Sequence, residues 1–186
     1  MEEKIQVSST VSPENRDPLV LIKWGESKGI ITSIDARSRG ISLIQAVAIA
    51  KCEETIFHTL AKDAKPYKGF GKYKPTKDQQ MAANLVFMLR DKHNFTHTDI
   101  QPIYGNKHQT GLIKYKWGTC DGLLDLTEAT DHATGLIKAA EAAENDSFFF
   151  QFFEKNKIAD RGEVQGLVNE YRLFKQQKYF ENLVDK

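Results

Sequence analysis

Two cysteines in 186 residues, Cys52 and Cys120, rule out a disulfide framework and any zinc site built from spaced cysteine pairs. Both thiols are expected to be reduced and buried, Cys52 within a helix. Proline is scarce too, at five residues, and two of these fall in the first 18. No apolar run approaches the ~18 residues that span a bilayer. The opening Met1-Glu-Glu-Lys has no basic segment leading into an apolar one, so no signal peptide is expected and the chain reads as cytoplasmic and membrane-free. Also missing are a Gly-x-Ser-x-Gly elbow, a cysteine placed near a histidine as a nucleophile would be, and a nucleotide fingerprint. Gly69-Phe-Gly71 lacks the third glycine of a dinucleotide loop and the Gly-Lys-Ser/Thr of a P-loop. No cofactor and no catalytic residue follow from the sequence, and a non-enzymatic protein is the favoured reading.

What the chain does have is unevenly placed charge. The net value is only +1, yet residues 51–120 carry twelve Lys or Arg against six acids, while residues 121–186 carry eight against thirteen. A basic middle and an acidic last third suit a polyanion-facing surface or contact with a complementary partner. The centre of the basic region is Lys65 to Lys77, with five lysines, no acid and three interleaved rings, Tyr67, Phe70 and Tyr73. Lysines tracking phosphates and rings stacking bases are the two ingredients of single-stranded nucleic-acid binding. Lys65, Tyr67, Lys68, Phe70, Lys72, Tyr73, Lys74 and Lys77 are therefore candidate nucleic-acid contacts. Thr76 and Gln79 form a capping-box pattern, so the stretch is expected to run into a helix N-terminus.

With 40% hydrophobic residues the chain can bury one sizeable core. Residues 1–18 read as a flexible lead-in, 19–130 as an α+β body and 131–186 as a helical region packed on it. Leu19 to Trp24 and Ile30 to Ile34 flank turn residues and predict a hairpin. A helix follows over about Ser42 to Ala61, apolar round most of its early circumference and central to the core, and Met81, Leu85, Met88 and Leu89 predict a second helix packed on it. Ile100 to Tyr104 and Leu112 to Trp117 predict a second hairpin, with Pro102 marking an edge strand. Alternation there puts Ile113, Tyr115 and Trp117 on one face and Leu112, Lys114 and Lys116 on the other. Lys114 and Lys116 join the candidate contacts. Gly118 to Thr130 reads as acidic and irregular, and helices follow. Strands and helices come in blocks, which argues α+β: an N-terminal hairpin, two packed helices with a second hairpin, and a helical C-terminal region. We read no internal repeat in the sequence.

Phe148, Phe149, Phe150, Phe152 and Phe153 surround a helix. One face cannot hide them all, and Phe148, Phe149, Phe152 and Phe153 are expected at a protein interface, with a partner or a second copy. Two alternatives to a nucleic-acid-contacting subunit stand beside it. One is a metal-dependent phosphodiester hydrolase drawing on Asp17, Glu26 and Lys28, on His93, His97 and Asp99, or on the run Asp121, Asp125, Glu128 and Asp131, although none has the spacing of a known ligand set and no metal residue is assigned. The other is a purely protein-binding or structural module whose lysine stretch docks on an acidic partner.

Overall fold

The computed structural model describes residues 4–61, 75–92, 97–105, 109–157 and 161–184. In order along the chain it contains β1 Gln6–Val11, β2 Pro18–Trp24, β3 Ser27–Thr32, α1 Ser33–Leu60, α2 Lys77–Asp91, β4 Ile100–Gly105, β5 Thr110–Trp117, β6 Cys120–Leu124, α3 Leu126–Asn156 and α4 Arg161–Val184. The strands make two three-stranded antiparallel sheets, ordered β1-β2-β3 and β4-β5-β6. The α+β class holds, with each expected hairpin enlarged by one strand. Pro102 lies on edge strand β4, where its missing N–H costs no ladder bond. No helix among the described residues is long and apolar enough to cross a membrane.

Three segments differ from the sequence reading. The supposed lead-in contains β1, which pairs in register with β2 from Gln6↔Lys23 to Val11↔Pro18; its Ser and Thr residues hide a period-2 pattern whose valines face inward. The first helix begins at Ser33, nine residues earlier than expected, because Thr32 Oγ1 accepts the Asp35 N–H at 3.1 Å and so caps it. The supposedly irregular 118–130 holds β6 and the start of α3. Asp125 accepts the N–H groups of Thr127 and Glu128, both at 2.8 Å, and Glu128 accepts from the Asp125 N–H. These acids form a capping box rather than a loose acidic run. The expected box at Thr76 and Gln79 is present. In α2 the buried residues are Ala82 and Val86, whereas Met81, Leu85 and Met88 are exposed. Cys52 is exposed and Cys120 half-buried, so the expectation of two buried thiols is corrected.

The largest departure is that the chain is an internal repeat. The unit β1-β2-β3-α1-α2 recurs as β4-β5-β6-α3-α4. Both tryptophans sit in Lys-Trp-Gly, at Lys23-Trp24-Gly25 and Lys116-Trp117-Gly118, 93 residues apart. The same offset carries the registers of one sheet onto the other: Val7↔Ile22 and Val20↔Ile31 become Ile100↔Tyr115 and Ile113↔Leu124. It relates the helix caps Thr32 and Asp125, and the buried pairs Ala36 and Ala129, Leu43 and Leu136, and Ala50 and Ala143. Gly25 and Gly118 both have positive φ, +57° and +58°, at the first central position of a two-residue hairpin turn. After the long helices the offset falls to 82, relating Ala82, Val86 and Arg90 of α2 to Val164, Val168 and Arg172 of α4. Residues 61–76 join α1 to α2, but only 157–160 join α3 to α4. The lysine-rich stretch is thus the segment that the first unit has and the second lacks.

The two units exchange their helices. α1 and α3 pack on each other, and α1 packs mainly on β4 and β5 of the second unit while α3 packs mainly on β1 and β2 of the first. A core shared by the two units results, built from Val20, Ile22, Leu43, Ile113, Tyr115 and Leu136 among others. The contact is reciprocal where the sheets meet. A Cβ on Gly29 would lie 2.8 Å from the Trp117 ring, and one on Gly122 would lie 2.9 Å from the Trp24 ring. Each indole rests on the glycine of the opposite unit, where no side chain fits.

Candidate nucleic-acid interface

Alternation in β5 buries Ile113, Tyr115 and Trp117 against the helices and leaves Lys114 and Lys116 exposed on the outer face, as the sequence suggests. Leu112 on that face is half-buried. Lys116 lies opposite Asp121 in the β5–β6 register, and Lys114 Nζ reaches the Asp121 carboxylate at 3.6 Å. This exposed pair is worth little to stability, but it tempers the positive charge.

The turn end of the same hairpin is tied to the end of α1. His58, in the last turn, donates from Nε2 to the Gln109 carbonyl at 2.8 Å. Glu54 accepts the Gly111 N–H at 3.1 Å. Phe57 stacks on Tyr104 with ring centroids 4.1 Å apart. The last turn of α1 is therefore beside Gln109, and in sequence Lys65 follows its last residue, Leu60, by five. Lys65, Tyr67, Lys68, Phe70, Lys72, Tyr73 and Lys74 lie outside the described residues. Lys77 is described; it is exposed in the first turn of α2, whose N-terminal N–H groups favour anions.

The repeat adds residues that sequence reasoning missed. On the β1-β2-β3 sheet the outer face carries Lys23, the equivalent of Lys116, and Lys28, the equivalent of Asp121. The two lysines are exposed and directly opposite in register. Positions 6, 8, 10, 19, 21, 23, 28, 30 and 32 form that face, and none is acidic. The signal was in the sequence, as Lys-Trp-Gly written twice.

The four expected interface phenylalanines divide. Phe148 and Phe152 are 64% and 45% exposed and lie in parallel with centroids 6.0 Å apart. Phe149 and Phe153 instead pack on the small core of Phe150, Val164 and Val168, Phe149 lying 4.8 Å from Tyr171. Leu173 and Phe174 of α4 are exposed.

Among the described residues, those of the hydrolase reading do not come together as a ligand set. Asp17 precedes β2 while Glu26 is in the turn at its far end. His97 bonds Ser38 at 3.1 Å and Asp99 pairs with Arg39 at 2.6 Å, while His93 lies outside the described residues. Asp121, Asp125 and Glu128 have the pairing and capping roles above. Among the described residues no group of three or more His, Cys, Asp or Glu is placed to hold a metal.

Two clefts related by the repeat flank the tryptophans. One, of about 470 Å³, is lined by Arg39, Asp99, Lys116 and Trp117; the other, of about 730 Å³, by Trp24, Leu123, Glu128 and His132. Arg39 stacks over Trp117 at 5.3 Å. His132, buried at the equivalent position, bonds the Tyr115 hydroxyl at 3.0 Å, a partner the sequence does not reveal. Burial chiefly pushes the Tyr115 pKa up to about 12. This pair joins the second unit's strand to its helix and reads as core architecture. No protein-family model, curated protein or solved structure matches the chain.

Proposed function

We propose that this protein is a non-enzymatic subunit of a larger assembly that contacts single-stranded nucleic acid. One observation carries the reading: Lys114 and Lys116 stand on the outer face of the hairpin whose Gln109 is bonded to the last turn of α1, and in sequence the five-lysine, three-ring stretch begins five residues after that helix ends. Phosphates tracked by Lys114 and Lys116 would lead a strand towards that stretch, whose rings offer the stacking that the outer sheet faces, bearing no ring, do not. Fluorescence anisotropy with labelled single-stranded RNA and DNA tests it. Binding is expected at low salt, weakening as salt rises. Each phosphate neutralised on a single strand contributes about 0.7 to the slope of log affinity against log salt, so in the double variant Lys114→Glu, Lys116→Glu that slope becomes shallower by about 1.4. No association of either nucleic acid at low salt overturns the reading, and an unchanged slope removes the sheet face from it.

A second surface supports subunit status. The stacked rings of Phe148 and Phe152 on α3, and Leu173 and Phe174 on α4, are exposed apolar area that water covers poorly. Self-association through these rings predicts a sedimentation coefficient that rises with concentration and a Phe148→Asp, Phe152→Asp variant that stays monomeric with an unchanged melting temperature. Monomeric wild type at every concentration removes self-association.

A further inference from the structure

We propose that the outer face of the β1-β2-β3 sheet is a second site for the single-stranded nucleic-acid backbone, so that one chain offers two such sites related by its internal repeat. The inference rests on the reading above for the identity of the polyanion, but its observations are separate. Lys23 and Lys28 are direct cross-strand partners, and like charges so placed repel. At the equivalent pair of the other sheet, Lys116 faces Asp121. The first sheet therefore places two like charges opposite each other where the second places opposite ones, on a face with no acid at any of its nine outward positions. No ion pair among the described residues offsets Lys23 or Lys28. A phosphate bridging the two ammonium groups relieves the repulsion, and of the two faces this one holds the less neutralised charge.

The repeat supplies a second shared feature. Ile30 and Leu123, equivalent residues on the outer faces of β3 and β6, are 59% and 57% exposed. Each stands two residues along its strand from the position of Lys28 or Asp121, and so on the same face. Each face thus pairs lysines with an exposed aliphatic platform against which a sugar or base edge can rest. Two sites on a rigid frame also raise the affinity for a strand long enough to reach both, without any new contact.

Native mass spectrometry and calorimetry with an oligothymidylate of about eight nucleotides, within the span of one small site, test the proposal. Wild type is expected to bind two per chain at low salt. Lys28→Asp copies the charge arrangement of the second sheet, so it is expected to hold or raise the melting temperature while losing one bound oligonucleotide; Lys23→Gln with Lys28→Gln is expected to lose the same one. Lys114→Glu with Lys116→Glu keeps the site on the first sheet. A single oligonucleotide bound with equal affinity by wild type and Lys28→Asp overturns the second site and leaves the reading above standing. Two bound per chain in both glutamine and aspartate variants also overturns it, by placing the second site elsewhere. No binding to wild type removes the nucleic-acid reading and the second site together.

Discussion

Replacing Arg90 by alanine is expected to lower folding stability by about 3–5 kcal/mol, the cost of leaving a buried carboxylate without its counter-charge. Glu53 of α1 is fully buried, and Arg90 of α2 holds both its oxygens, Nε to Oε1 at 2.5 Å and Nη2 to Oε2 at 2.6 Å. Such a fork satisfies the acid in two directions at once, so losing the guanidinium removes charge and hydrogen bonds together. Arg90 itself keeps some contact with water, which places the loss towards the lower end of that range. The repeat predicts the same outcome at a second place. Asp146 of α3, the equivalent of Glu53, is buried and paired with Arg172 of α4, the equivalent of Arg90. Arg172→Ala should therefore cost a similar amount in denaturant unfolding. Glu53→Leu combined with Arg90→Met should recover most of the loss, because no charge is then left buried. A loss below about 1 kcal/mol in Arg90→Ala would mean that the pair does not hold α2 on α1.

That pairing also explains what could and could not be read from residues alone. Strand alternation around Ile113, Tyr115 and Trp117 and the Thr76–Gln79 box are local patterns, and both stand in the structure. β1 was hidden because Ser and Thr fill its polar positions, and the start of α1 because Arg37, Ser38, Arg39 and Gly40 interrupt its apolar period. The repeat was hidden for a different reason. Its units share few residue identities, and the same structural place is held by different chemistry: Thr32 or Asp125 as cap, Glu53 or Asp146 as buried acid, Arg39 or His132 beside an indole. Lys-Trp-Gly, the spaced alanines and scattered single residues such as Gly29/Gly122 and Leu43/Leu136 persist, and none of these is a motif in isolation. The helix exchange made the rest illegible, since each amphipathic helix is matched to the sheet of the other unit rather than to the strands beside it in sequence. For the candidate site, Lys114 and Lys116 followed from alternation alone, whereas Lys23 and Lys28 matter only once their register and their equivalents are known.

Acid should weaken this fold through His132 before it reaches the ordinary carboxylate range. His132 is buried against the Tyr115 ring, edge to face at 5.0 Å. Burial first, and the Arg39 charge second, hold its pKa down to about 4 from the usual 6.5. The folded protein therefore keeps the imidazole neutral where the unfolded chain has already taken up a proton. The unfolded state binds more protons between about pH 6.5 and pH 4, so stability is full above that window and falls as pH drops through it. At about 1.4 kcal/mol for each pH unit that separates the folded and unfolded pKa values, the fall amounts to about 3 kcal/mol. The neighbouring Arg39 charge opposes an imidazolium at this place, and Asp99 is committed to Arg39 at 2.6 Å. His132→Asn keeps a hydrogen-bonding group for the Tyr115 hydroxyl but does not titrate. Urea unfolding at pH 7 and at pH 4.5 should show a drop in wild type that is larger by most of those ~3 kcal/mol than the drop in the variant. Equal pH dependence in the two proteins would show that His132 is not what acid attacks.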